Sequence, residues 1–556
     1  MLVQAIPTTG VESESRASWV PMIAIALGQM IMSFNVASLP VALGGMVKSF
    51  GVPPTTIATG IVAYSMLVAG FVMLGAKLCQ RYGATRVFRA AVFLFCISQI
   101  VMTFSPTAAV MIFAQALCGA AGAVIVPSLV ALIAENYGGK QQATAVGALG
   151  SARAGAGVLA FIIGGILGTY VGWRPVFGLL IAASAIVILL SFRLRHDEGR
   201  QDVTIDGVGV VLAAAAIICI SFGFNNLNRW GLAVATPNAP FNLFSLSPAP
   251  VFIVVGVVFG QAFLMWTHKR QRAGKTPLLA LEVIDSIEER AAVYAMFVVV
   301  ALEAALNFTV PLYIQIVQGR SPIATAVAMM PFNLTVFVTA MLIVKLYERF
   351  TPRQIGRYGF ILCTFALLWL AFVARNDWSE VPVLFGLILF GIGQGALVTL
   401  LFNVLVTASP RELAGDVGSL RGTTNNLASA VGTAVAGALL VSLLSTIALG
   451  GVAASPKLTP ELQAQVNLDS INFVSNDQLR NVLETTTATP EQVTEAVRIN
   501  TEARLRALKL GLLMMAMLSL LAIIPAGRLP SHRPGESLAD EPNIESNNYP
   551  RRAIVR

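Results

Sequence analysis

Two charged residues interrupt long apolar stretches of this chain. Arg153 lies in ALGSARAGAGVLAFIIGGILG, and Glu303 lies in VVVALEAALNF. A charge at the centre of a membrane-spanning helix costs at least about 2.5–3.5 kcal/mol, so one kept there has a task. A carboxyl such as Glu303 can load and release a proton, or it can stay ionised and hold a substrate cation. It can also be a structural group bonded to a neighbour. Arg153 does not cycle its proton. It can bind an anionic group, pair with Glu303, or pin its helix to a backbone carbonyl.

Weaker candidates surround these two. Asn35, Gln115, Asn307 and Asn333 are amides in otherwise apolar runs. Each either lines a cavity or bonds a neighbouring helix, a contact worth about 0.6 kcal/mol on average. Gly155, Gly157, Gly164 and Gly165 cluster after Arg153. Small residues let helices approach closely, for sliding or for static packing.

The elements that must position these residues are helices in a bilayer. The 556 residues are 56% hydrophobic and 12% charged, with a mean hydropathy of +0.76. A soluble chain is nearer a quarter charged. The apolar residues fall into about fourteen runs of bilayer length, about 20 residues each. Backbone groups in lipid must bond internally, so the runs are expected to be helices.

A short basic turn organises them. AKLCQRYGATRVFR at 76–89 is echoed by VKLYERFTPRQIGR at 344–357. Recurrence of one turn in one setting marks a duplicated unit. The sequence therefore predicts a tail at 1–18, a six-helix bundle at 19–200, two inserted spans with linkers at 201–287, a second bundle at 288–527, and a tail at 528–556. A polar outer segment at about 450–505, with short amphipathic helices, precedes the last span. The recurring turn supplies candidate latch residues at one face, namely Gln80, Arg81, Gly83, Glu348 and Arg349, with Asp416 and Arg421 as partners across the gap.

Charge fixes orientation and excludes other functions. Basic residues in loops on the side of the repeated turn outnumber those opposite by about three to one, which puts both termini in the cytoplasm. The net charge of +9 is explained by this bias, so no nucleic-acid partner is expected. The five cysteines form no CxxC pair, and the three histidines lie in polar segments. No P-loop, nucleophile elbow or metal-ligand cluster is present, so neither an enzyme nor a bound cofactor or metal is expected. GIGQG at 391–395 lies inside an apolar run and follows no strand, so it reads as a packing motif.

Several segments together resemble the major facilitator superfamily, and specifically its fourteen-helix drug:proton antiporter branch. They are LPVALGGM at 39–46, the basic turn at 76–89, GWRPVF at 172–177, IDGVG at 205–209, PLL at 277–279 and PLYIQIVQGRSPIATAVAMMP at 311–331. The resemblance implies an all-α integral membrane fold of the major-facilitator kind, with the transmembrane helices arranged 6+2+6. It implies a secondary transporter in the inner (plasma) membrane that exports amphipathic or cationic organic compounds by alternating access. Protons would be the coupling ion, and a periplasmic adaptor would be a conceivable partner. The chain departs from the branch at Ile31, Gln80, Gln115 and Ala160-Phe161, where the branch carries an acid, an acid, an arginine and Gly-Pro. Those departures leave two alternatives: an uncoupled facilitator, or a non-transporting sensor or scaffold.

Overall fold

The long elements of the computed structural model are all helices. It describes residues 18–137, 139–195, 198–201, 203–231, 234–241, 245–346, 349–375, 381–408, 414–458 and 476–531. The first six helices are α1 (Val20–Phe50), α2 (Pro54–Tyr82), α3 (Ala84–Thr103), α4 (Ala108–Asn136), α5 (Gly139–Tyr170) and α6 (Arg174–Ser191). α7 (Gly207–Trp230) and α8 (Pro248–Arg272) follow. Then come α9 (Ile287–Leu312), extended by a π-helical turn at Tyr313–Val317, α10 (Pro322–Leu346), α11 (Pro352–Val373), α12 (Val381–Ala408) and α13 (Ala414–Ala454). α14 (Asn476–Glu484), α15 (Pro490–Leu521) and α16 (Ile523–Ala526) close the chain. Fourteen helices are long and apolar enough to cross a bilayer.

Local chemistry explains where they start. Pro54, Pro248, Pro352 and Pro490 sit in the first turns of α2, α8, α11 and α15. There the missing N–H would have had no helical partner anyway. Ser286, Thr351 and Thr489 close capping boxes with Glu289, Gln354 and Gln492. Each box satisfies two otherwise orphaned donors.

One expectation changes here. From Pro490 the chain runs as a single helix to Leu521, where short separate helices had been expected ahead of the last span. Its polar turns are held by Arg498, which pairs with Glu495 at 2.6 Å and Glu502 at 2.7 Å. Those i,i+3 and i,i+4 pairs extend the membrane helix into water. The short amphipathic α14 remains separate, and 459–475 lie outside the described residues.

The packing repeats. α1 packs on α5 and α6, α2 on α4, and α3 on α4 and α6. Likewise α9 packs on α13 and α15, α10 on α12, and α11 on α12 and α15. The two sets meet where α2 lies along α13 and where α5 lies along α10. Exchanging the sets turns one of those contacts into the other, as a twofold relation requires. α7 and α8 pack on each other, and α7 touches α2 and α13. Asp206 ties this pair together. It caps α7 through the Gly209 N–H at 3.1 Å, accepts from Trp266 Nε1 at 3.1 Å, and pairs with Arg270 Nε at 3.5 Å.

Candidate functional site

The site is built at the middle of the helices. Glu303, Arg153 and Gln394 lie close to the midpoints of α9, α5 and α12. A helix rises 1.5 Å per residue, so similar offsets give similar depths. Gln394 is fully buried, and its Nε2 donates to Glu303 Oε2 at 2.9 Å and to the Val299 carbonyl at 3.2 Å. That bond orients the carboxylate. Glu303 is half-buried, while Arg153 is exposed.

Arg153 acts electrostatically on Glu303, on Tyr64 of α2 and on Arg421 of α13. Those groups belong to α9, α2 and α13, so Arg153 is within electrostatic reach of both helix sets. Among the described residues no contact ion pair joins Arg153 to Glu303, so the two act at longer range. Arg421 lies half-buried, with its guanidinium carbon 3.7 Å from the centre of the Phe402 ring. Asn307, one turn beyond Glu303, is half-buried and its Oδ1 has no hydrogen-bond partner. Asn333 donates to the Met329 carbonyl of its own helix at 3.0 Å.

Asn35 and Gln115 are elsewhere and bond a neighbouring helix, one of the two roles open to them from the sequence. Both are fully buried inside the first bundle. Asn35 Nδ2 donates to Gln115 Oε1 at 3.1 Å, and Gln99 Nε2 donates to Asn35 Oδ1 at 3.3 Å. An amide in apolar surroundings needs partners, and these three supply one another. They join α1, α3 and α4. Gln99 and Gln394 were both missed in the sequence. Their only signal there is an amide within an apolar run, which does not tell glue from site.

The end of the bundle opposite the basic turn is closed. Gln315, on the π-helical turn, is 5% exposed. Its Oε1 accepts from the Gly44 N–H at 2.7 Å, and its Nε2 donates to the Pro40 carbonyl at 3.0 Å. An α-helix pairs those same two groups with each other, so the amide docks directly on the backbone of α1. A Cβ at Gly44 would sit 2.7 Å from Gln315 Oε1, so the glycine makes the room. Beside it, a Cβ on Gly165 would meet Ala326 at 2.7 Å, and one on Gly168 would meet Pro322 at 3.2 Å. Thr169 Oγ1 accepts from the Ile323 N–H at 3.1 Å. Gly164 packs instead toward Val41 and Val176, and a methyl group at Gly155 or Gly157 would meet open space.

At the basic end the expected partners separate. The Gln80 carbonyl accepts from the Arg200 N–H at 2.8 Å, and Arg81 Nη1 reaches the Val203 carbonyl at 3.5 Å. The linker after α6 thus covers this turn, where Gly83 adopts φ +85°. Arg81 and Arg421 are not joined to each other or to Asp416 by a described contact. Asp416 accepts a backbone hydrogen bond from Ala280 and lies in the field of Lys77, which is buried on α2. Glu282 acts on Asp416 with the opposite sign. The Arg349 N–H bonds the Leu346 carbonyl at 3.0 Å, and Glu348 lies outside the described residues.

Comparison with known proteins fits this arrangement. The family model described as Major Facilitator Superfamily matches residues 25–433. The tetracenomycin C resistance and export protein of Streptomyces glaucescens is 26% identical over 436 residues, 77% of each chain. The multidrug efflux pump LfrA of Mycolicibacterium smegmatis is 23% identical over 83% of this chain and 87% of its own. Among solved structures, a bacterial homolog of the human lysosomal transporter Spinster, in an inward-facing and occupied conformation, superposes with a TM-score of 0.60. It is 14% identical, over 91% of this chain and 95% of that one.

Proposed function

Since the chain belongs to the major facilitator superfamily, we propose that it is a plasma-membrane exporter of amphipathic organic compounds, working by alternating access and coupled to protons through Glu303. Both termini are assigned to the cytoplasm by the charge bias of the loops. The six-plus-two-plus-six division is supported by the repeated helix contacts, with α7 and α8 outside the repeat. The one observation that carries the proposal is that Glu303 and Arg153 sit near the midpoints of α9 and α5, within electrostatic reach of each other though not in contact. A charge at that depth is costly unless it has a use. Glu303 would exchange the proton. Gln394 would hold the carboxylate in place, and Arg153 would answer its change of charge. The export relatives favour outward movement of drug-like compounds.

Flux measured in proteoliposomes under an imposed pH gradient tests the reading. The wild-type protein should drive a lipophilic dye against the proton flow. Glu303→Gln should still bind dye yet lose its response to the gradient. Full gradient dependence in Glu303→Gln would overturn coupling through this residue.

A further inference from the structure

Two arginines stand at the end of the molecule that carries the basic turn, away from Glu303. Arg357 lies in the second turn of α11, and Arg528 lies just past α16. Both line an open groove of about 780 Å³ between these helices, with Tyr358, Ile361 and Ile524. A Cβ on Gly527 would lie 2.8 Å from Arg357 Nη2, so that guanidinium rests against the backbone next to Arg528. The wall of the groove is fixed. Arg353 Nε donates to the Leu529 carbonyl at 3.0 Å, and the Arg353 N–H donates to the Pro530 carbonyl at 3.1 Å. Deeper in, Ser519 Oγ donates to the Phe360 carbonyl at 3.1 Å. The groove lacks a counter-charge. Among the described residues, the guanidiniums of Arg357 and Arg528 form no hydrogen bond and no ion pair. No Asp or Glu occurs at 352–375 or 503–531. α9 also touches α16, but of the acids in its first turn Glu289 closes the capping box with Ser286, and Glu288 ion-pairs with neither arginine.

We propose that this groove binds an anionic phospholipid of the cytoplasmic leaflet, with its phosphate at Arg357 and Arg528 and its acyl chains along Ile361 and Ile524. A guanidinium presents a planar fork that holds a phosphate through two parallel bonds. Basic pockets between membrane helices on the cytoplasmic side take such headgroups. The apolar part is in register with the charged part on both helices. Ile361 lies one turn deeper than Arg357, and Ile524 lies one turn deeper than Arg528. Both isoleucines are exposed, on helices long and apolar enough to cross a bilayer. Tyr358 is exposed at the level of the arginines, where interfacial aromatics collect. The nearest alternative occupant is the chain's own end. Residues 532–556 hold four acids and four arginines, and a segment of balanced charge complements two guanidiniums less well than a phosphate does. The inference goes beyond the transport reading and stands without coupling through Glu303.

The test measures lipid binding to the purified full-length protein by native mass spectrometry. Phosphatidylglycerol and phosphatidylcholine with identical acyl chains are the probes. Phosphatidylglycerol should bind about tenfold or more tighter than phosphatidylcholine. With Arg357→Gln and Arg528→Gln combined, the two lipids should bind within about twofold of each other. Arg357→Lys with Arg528→Lys should keep part of the preference. Arg272→Gln with Lys275→Gln removes two exposed charges at the end of α8, outside the groove, and should leave the preference intact. Glycerol 3-phosphate, a phosphate headgroup without chains, should compete only weakly. Melting temperatures confirm that each variant is folded. The proposal is overturned if wild-type protein does not distinguish the lipids, or if the preference survives in the Gln pair. Equal loss in the Arg272 and Lys275 pair would overturn it too, by showing a diffuse surface effect. Glycerol 3-phosphate binding as tightly as the lipid would make this a soluble-phosphate site and contradict the proposal. A preference that emerges only after residues 532–556 are removed would assign the groove to the tail instead.

Discussion

Asn35, Gln99 and Gln115 hydrogen-bond one another between α1, α3 and α4, with Gln99 Oε1 left without a partner, while Gln394 bonds Glu303 and Asn307 lies one turn beyond it on α9. The two groups of amides should answer differently to mutation. Asn35→Ala strands its buried partners, a loss of about 1–3 kcal/mol for an unsatisfied group in a soluble protein and about 0.6 kcal/mol per contact in membrane helices. It should lower the melting temperature of the solubilised protein and leave the KM for transport unchanged. Gln394→Leu should do the reverse. It should leave the melting temperature nearly unaltered and shift the pH dependence of flux, because it removes the donor that holds Glu303. At this scale the sequence was half legible. Arg153 and Glu303 stand out because charges within apolar runs are rare. The amides do not separate into glue and site, because helix rotation decides that and the apolar runs here are apolar around most of their circumference.

Helix α9 carries both the Glu303 site and the seal at the far end of the bundle. Its π-helical turn widens the backbone at Tyr313–Val317 and presents Gln315 to Pro40 and Gly44 of α1. π-turns inside helices are uncommon and tend to mark functional positions. Gln315→Leu removes both bonds and should weaken the closed arrangement by about 1–3 kcal/mol, the usual size of a coupling between states. The expected outcome is faster labelling, by a water-soluble maleimide, of a cysteine introduced at Gly45. Labelling at an unchanged rate would show that the amide does not hold the seal. The stretch at 311–331 that resembles the family covers this segment, but the docking partner of Gln315 is 271 residues away in the chain. The extension of the last span is hidden for a different, local reason. Its capping box and ion pairs are visible from Thr489 to Glu502, yet its continuity with the apolar run is a property of the folded helix.

Outside α7 and α8, the long helices show one pattern of contacts twice, and the copies join through α2 with α13 and α5 with α10. The span count and the repeated basic turn could be read in the sequence, since length, hydropathy and self-similarity are local properties. The twofold exchange between the sets could not, since it lives in contacts between distant helices. In a transporter of this shape the α5–α10 contact near Gly168 and Pro322 must open once per cycle. A disulfide there tests that requirement most directly. A Cβ at Gly168 would lie 3.2 Å from Cβ of Pro322, about 0.3 Å short of the 3.5–4.5 Å that a disulfide prefers, a gap that a small shift of the two helices closes. The native cysteines are buried or half-buried and form no disulfide, and can be replaced by alanine or serine in the background protein. With Gly168→Cys and Pro322→Cys combined, oxidation should stop flux in proteoliposomes and reduction should restore it. Undiminished flux through fully cross-linked protein would contradict alternating access between these bundles.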